Sequence, residues 1–348
     1  MQAILRVAES AQRMIYRIAG KTIVVDAQDA WSAKVIEKFF AGSYLTRDTT
    51  SQHDSLHPSA TPDLVISDKI KPPEIPHGWP QFEVAGGGTC FTDGITSYID
   101  IEGSVVAIGK QGHAPAQVWT HGLLEVQSPE LTRVVTYAMA AAMRRRHLFE
   151  LHSGAVVNPE NEEGVLLIGP SGSGKSTLTV HLAAAGWSFL TDDVLLLGIE
   201  GRQVKAWPLR RCFAITSETF AASTFLKTRA SLDYSPVQPT ELKHVKKLFV
   251  PQQVFNSNFK EHCIPRKLFF SQLNGAQRSQ VIQLSTAEAM SRLIRMSPWS
   301  CYDRTTATDH LGVLSALAAQ SKAYSLLAGE DLLDPDRAVK LIASYAGD

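Results

Sequence analysis

Apolar and polar positions alternate along the first part of the chain in a way that predicts strands. Met14–Ile18 and Thr22–Val25 form a hairpin pattern around Ala19-Gly20-Lys21. Trp31, Val35, Ile36, Phe39 and Phe40 then recur at helical spacing, as core residues do. Asp63–Ser67 reads as a short strand after a polar loop over 46–62, in which His53 and His57 read as solvated. The proline-rich run Lys71 to Pro80 interrupts regular structure, and the alternating stretches Gln81–Val84, Cys90–Phe91, Ser97–Ile101 and Ser104–Ile108 predict antiparallel sheet. Gly86-Gly87-Gly88 lies between strands and reads as a turn or bulge.

Pro129 to His147 has helical periodicity and ends in Arg144-Arg145-Arg146-His147. Cations suit a helix C-terminus, the simpler alternative to an acidic-partner or phosphate site. Leu148–Leu151 and Ala155–Val157 read as strands flanking His152-Ser153-Gly154. Further on, strands are expected at Val194–Leu197, Gln203–Trp207 and Lys267–Leu273, helices at Thr286–Met296 and Thr305–Ala319, a strand at Ala323–Leu327 and a closing helix at Pro335–Tyr345 capped by Asp334.

One stretch organises the rest. Val165–Ile168 is an apolar strand, Leu178, Val180, Leu182 and Ala183 belong to a helix, and between them lies Gly169-Pro170-Ser171-Gly172-Ser173-Gly174-Lys175-Ser176. This matches G-x-x-x-x-G-K-[ST] in the strand–turn–helix context that makes the pattern a phosphate-binding loop. Its glycines let backbone N–H groups approach a polyphosphate, and the helix N-terminus adds partial positive charge. Gly169, Ser171, Gly172, Ser173, Gly174, Lys175, Ser176 and Thr177 are the expected nucleotide contacts, with Lys175 on the β- and γ-phosphates and the Ser176 hydroxyl on Mg²⁺.

Composition narrows the class without changing this picture. The 348 residues are 44% hydrophobic and 20% charged with a formal net charge of zero, as in a globular protein with no general attraction for nucleic acid or membranes. No apolar run approaches a membrane span and no signal-peptide pattern opens the chain, so a cytoplasmic location is expected. Cys90, Cys212, Cys263 and Cys301 have no C-x-x-C spacing, which gives no zinc or redox motif.

An apolar strand ending in carboxylates is what Mg²⁺–nucleotide chemistry requires, and Trp187–Thr191 leads to Asp192 and Asp193, only 17 and 18 residues after Lys175. A surface turn is the plain alternative for this pair, and a structural histidine for His152. The combination of His152-Ser153-Gly154, the loop and Gly186–Asp193 resembles the catalytic domain of HPr kinase/phosphorylase, and still more the HPr-kinase-like kinases of peptide-modification gene neighbourhoods. The matching motifs cover about residues 148–215.

The resemblance implies an α/β fold: a P-loop kinase domain of the HPr kinase/phosphoenolpyruvate carboxykinase type over 126–348. A smaller N-terminal α+β domain is expected over 1–125, and its lack of chemistry-bearing motifs suggests a role in substrate recognition. It implies an ATP- and Mg²⁺-dependent kinase that phosphorylates a hydroxyl, expected to be Ser, on a small protein, peptide or small molecule. Asp193 takes the place of the proton acceptor, Asp192 supports it or contacts metal, and His152 takes the place of the active-site histidine. Arg210 and Arg211 are candidate phosphate or substrate contacts. Relatives of HPr kinase are often multimeric, so a homo-oligomer belongs to the same expectation. The sequence departs from the family in Ser153, which separates His152 from Gly154, and in lacking a clear E-I-R-G-x-G counterpart. Its nearest stretch is Trp207–Cys212, with Glu218 the only candidate glutamate. This departure argues against the reverse phosphorolysis and against HPr as substrate. Two other readings stand beside the kinase: a nucleotide-binding regulatory or assembly module, and phosphoryl or carboxyl chemistry on a small metabolite. The latter would draw on Arg210, Arg211 and the Lys243–Lys247 stretch.

Overall fold

Val165, Leu166, Leu167 and Ile168 are all fully buried, and they face both ways. Leu166 and Ile168 pack with Leu268, Phe270, Leu293, Leu314 and Leu317 on one side of a sheet. Val165 and Leu167 pack with Leu178, Leu182, Phe269 and Ile342 on the other. A strand with helices on both faces has no solvated side, which is why its sequence is continuously apolar.

The computed structural model describes residues 11–41, 43, 45–47, 61–68, 71–84, 87–109, 116–120, 128–210, 213–229, 246–249, 251–255 and 258–346. Two compact units divide the chain: Met1–Leu148 with Trp299–Thr308, and Phe149–Pro298 with Asp309–Asp348.

Among the described residues of the first unit, nine strands form one sheet, in the order Thr46–Arg47, Gln12–Ile18, Lys21–Ala27, Leu64–Ser67, Ala116–Trp119, Ser104–Ile108, Ser97–Ile101, Thr89–Thr92, Gln81–Glu83. Helix Ala30–Ala41 lies in the connection between Lys21–Ala27 and Leu64–Ser67, which pair in parallel. Leu64–Ser67 and Ala116–Trp119 are also parallel, whereas Gln81–Glu83, Thr89–Thr92, Ser97–Ile101 and Ser104–Ile108 pair antiparallel as their alternation predicts, so the sheet is mixed. Gly87 donates to the Val84 carbonyl and Val84 to the Gly88 carbonyl, a tight turn; Gly86 lies outside the described residues.

Helix Pro129–Arg144, capped by Ser128, belongs to this first unit, whereas the sequence-based division puts it in the second. Its last turn explains the placement. Arg144 is fully buried, its Nε lies 3.1 Å from Asp303 Oδ2, and its guanidinium covers the Trp299 ring at 4.8 Å. Arg145 reaches the same carboxylate at 3.4 Å, and Arg146 makes a two-pronged pair with Asp63 at 2.7 and 2.9 Å. The arginine run thus serves intramolecular carboxylates rather than only the helix dipole. Burial by itself would push the Asp303 carboxyl up; Arg144, Arg145 and Thr305 outweigh it and hold the group below the ordinary carboxylate range.

The second unit holds a mixed sheet in the order Gln203–Pro208, Val194–Glu200, Phe149–Val157, Gly164–Ile168, Pro265–Leu273, Lys322–Ala328, Gln280–Leu284. Strand Gly164–Ile168 pairs in parallel with Pro265–Leu273, which pairs in parallel with Lys322–Ala328. Helices Thr286–Met296 and Ala307–Gln320 contribute to one core, Lys175–Ala184 and Pro335–Ala346 to the other. Asp334 accepts from the Asp336 and Arg337 amides, as expected of the helix cap. A small sheet of Phe213–Thr216 and Lys246–Phe249 supports a third apolar cluster around Phe189, Phe213 and Phe255.

Candidate functional site

His152 lies inside one continuous strand, Phe149–Val157, rather than in a break between two. The reason lies in the neighbouring segments. Val194–Glu200 pairs with Phe149–His152, and Ser188–Thr191 pairs with Ala155–Val157, so two consecutive segments share one long partner. Asp192 and Asp193 are the junction between those segments. The Asp193 carbonyl accepts from Ser153 N–H at 2.9 Å, which holds the junction against the histidine strand.

That register puts the acidic pair beside the glycine loop. Ser153 pairs with Ile168, the residue before Gly169. Asp193 is therefore two strand spacings, about 10 Å, from Ile168 across the sheet. Gly154 permits close helix packing here, since a Cβ on it would lie 2.3 Å from Thr179 Oγ1 of the loop helix.

Asp193 gathers the charged groups. His152 Nδ1 lies 3.2 Å from its Oδ1, and Arg210 Nη1 lies 3.0 Å from its Oδ2. The three side chains are 40%, 31% and 48% exposed for His152, Asp193 and Arg210, so a ligand can reach them. Asp192 points elsewhere. It is buried, and its Oδ2 accepts from Ala214 N–H at 3.2 Å. The pair thus divides into one accessible carboxylate and one anchored one.

In the loop, Gly172 and Gly174 have φ of +82° and +88°, values that L side chains rarely adopt. Gly169 sits so close to strand Pro265–Leu273 that a Cβ would meet Ser271 O at 2.4 Å. Helix Lys175–Ala184 begins with Leu178 N–H donating to Gly174 C=O, so the amides of Lys175, Ser176 and Thr177 precede its hydrogen-bond ladder. Lys175 is buried, and its Nζ donates to the carbonyls of Gly169 and Pro170 at 2.7 and 2.9 Å. Ser176 and Thr177 are half-buried, and Ser171 and Gly172 are exposed. Gly172 has open space where a Cβ would stand, as a loop that admits a ligand requires.

Residues that sequence reasoning passed over complete this arrangement. Buried Ser271 donates its hydroxyl to the Ser173 carbonyl at 2.6 Å. Because the N–H of a trans peptide points opposite to its carbonyl, this bond turns the Gly174 N–H away from the sheet. A serine interrupting the apolar run of its strand was the available signal. Thr219 lies 2.9 Å from Thr177, hydroxyl to hydroxyl, with nothing in the local sequence to announce it.

Hydroxyl and carboxylate oxygens are the donor types that a small hard cation such as Mg²⁺ takes. Of the two groups expected to meet it, the Ser176 hydroxyl belongs to a half-buried residue, and the Asp192 carboxylate is buried with one oxygen on Ala214 N–H. Among the described residues no group of three or more His, Cys, Asp or Glu is placed to hold a metal. Arg211, Cys212, Lys243, His244, His53 and His57 lie outside the described residues, and the side chain of Glu218 is likewise not described. Among the described residues no helix is long and apolar enough to cross a membrane.

No family model matches this chain, and no curated protein matches it. Among solved structures it is similar to the Hpr(Ser) kinase/phosphatase from Coxiella burnetii, at 12% identity and a TM-score of 0.30, over 57% of this chain and 97% of that one. That score falls short of a shared fold, so the chemistry below stands on this chain's own geometry.

Proposed function

We propose that the second unit is an ATP- and Mg²⁺-dependent kinase that transfers a phosphoryl group to a hydroxyl, Ser being the favoured acceptor, on a small protein, peptide or small molecule. The observation that carries this reading is the accessible Asp193 carboxylate, held between His152 and Arg210 two strand spacings from the strand that leads into Gly169. Nucleotide binding alone needs no carboxylate held in this way, whereas a hydroxyl nucleophile needs a proton acceptor.

The residues divide the work as follows. The glycine loop and the amides of Lys175, Ser176 and Thr177 cradle the polyphosphate. Lys175 exchanges its bonds to the Gly169 and Pro170 carbonyls for bonds to phosphate oxygens. Ser176 and Asp192 would hold Mg²⁺, which would neutralise phosphate charge. Asp193 accepts the acceptor's proton as the acceptor oxygen bonds to phosphorus and the bond to the leaving phosphate oxygen breaks. His152 orients Asp193, and the remaining N–H donors of Arg210 serve the charge on the phosphoryl group.

Incubation with γ-labelled ATP, Mg²⁺ and a panel of hydroxyl-bearing peptides and metabolites tests the proposal. Wild-type protein is expected to label an acceptor, and Asp193→Asn to retain nucleotide binding while transfer falls about 10²–10⁴-fold. Full transfer by that variant would remove Asp193 as the base. Tight nucleotide binding without transfer to any acceptor would favour a regulatory nucleotide-binding module.

A further inference from the structure

Three threonine hydroxyls are joined in series, starting from the first turn of the helix that follows the glycine loop. Thr177 Oγ1, in the first turn of the loop helix, lies 2.9 Å from Thr219 Oγ1. Thr219 Oγ1 lies 3.2 Å from Thr216 Oγ1. Thr216 Oγ1 also accepts from Thr219 N–H at 3.3 Å, as the N-cap of helix Ser217–Ala222. Thr216 ends strand Phe213–Thr216, in which Ala214 N–H donates to Asp192. Residues 214–219 therefore touch both the anchored carboxylate and the first turn of the loop helix.

Each hydroxyl carries one proton, so the chain of bonds has a direction. If Thr216 donates to Thr219 and Thr219 to Thr177, the Thr177 proton is released to point outward. The opposite direction spends the Thr177 proton on Thr219. An anion beside Thr177 favours the first arrangement, because each donated bond polarises the next. An amide in place of one link could not reverse in this way; a row of hydroxyls can.

We propose that Thr216 and Thr219 form a hydroxyl relay that orients Thr177 as a hydrogen-bond donor to a phosphate oxygen of the bound nucleotide. The relay rests on the nucleotide reading above and adds two positioning residues to it. It also gives Thr219 a specificity: its effect falls on ligands that carry phosphate.

Calorimetric titration of the full chain with ATP–Mg²⁺, ADP–Mg²⁺ and adenosine tests this. Thr219→Val removes the hydroxyl at nearly constant shape and is expected to weaken ATP and ADP binding about 5- to 20-fold. Thr219→Ser, which keeps the hydroxyl, is expected to stay within about two-fold of wild type. Adenosine affinity should not differ among the variants. In a double-mutant cycle, Thr177→Val with Thr219→Val should lose no more than Thr177→Val alone, because the second hydroxyl acts through the first. Thr219→Ala is the second variant should valine disturb packing. Equal ATP affinity in wild type and Thr219→Val, or an equal loss for adenosine, overturns the relay. Absence of ATP binding by wild-type protein overturns the nucleotide reading itself, and the relay with it.

Discussion

Two arginine–carboxylate sites in this chain use the same chemical groups to opposite ends. In the first unit Arg144 and Asp303 are 0% and 3% exposed, with Arg145 on the same carboxylate and Trp299 beneath the guanidinium. In the second, Arg210 and Asp193 are 48% and 31% exposed, with His152 on the other carboxylate oxygen. A buried ion pair cannot exchange partners without leaving a charge in a medium that solvates it poorly. A half-exposed pair exchanges partners at small cost, because water and incoming ligands replace what is lost. Burial, and not residue type, separates a structural clamp from a group that a ligand can reach.

The two aspartates should respond most differently to substitution. Asp193→Asn is expected to remove transfer, as above, with little effect on folding. Asp303→Asn should leave the second unit's nucleotide binding intact and cost the first unit about 3–5 kcal/mol, because two buried arginines lose their counter-charge. Hydrogen exchange over helix Pro129–Arg144 measures the latter, and unchanged protection would show that the pairing is dispensable.

Acid provides a second, smaller separation. The Asp303 carboxyl sits below the ordinary carboxylate range in the folded chain. A lowered folded-state value means that its contribution is complete above the unfolded-state pKa and is lost as pH falls through the folded-state pKa. Protection of helix Pro129–Arg144 should therefore decline on acidification below the ordinary carboxylate range, and Asp303→Asn should flatten that part of the profile. A wild-type profile as flat as the variant's would contradict the assignment.

The smallest expected stability effect is at Arg210. Arg210→Gln should change folding stability by less than about 1 kcal/mol, since its ion pair is largely solvated. Its transfer rate should nevertheless fall, because glutamine carries no positive charge toward phosphate. A stability loss as large as that of Asp303→Asn, measured by denaturant titration, would make Arg210 a structural residue.

Several elements were legible from pattern alone because their causes are local. The hairpin at the start of the chain, helix Thr286–Met296 with its Ser285–Glu288 capping box, and the strand, glycine turn and helix around Lys175 all follow from spacing and caps. Candidate residues His152 and Asp193 were named from the resemblance of the surrounding motifs, and Arg210 as a cation in the stretch Trp207–Cys212. Their meeting was not: it depends on Val194–Glu200 and Ser188–Thr191 sharing one partner strand, a matter of register between segments distant in sequence. The arginine run at the end of helix Pro129–Arg144 misled for the same reason, since Asp303 lies 159 residues from Arg144.

What the chain states locally is where backbone amides can turn inward and which side chains carry charge. Glycine freedom, helix capping and apolar periodicity act over a few residues, so they are written into the order of amino acids. Whether a charge is clamped or available is decided by what surrounds it. That surrounding is assembled from distant strands, as with Ser271 beneath Ser173, Ala214 on Asp192 and Thr219 on Thr177. Desolvation and hydrogen-bond geometry are properties of that assembly, and only the folded chain sets them.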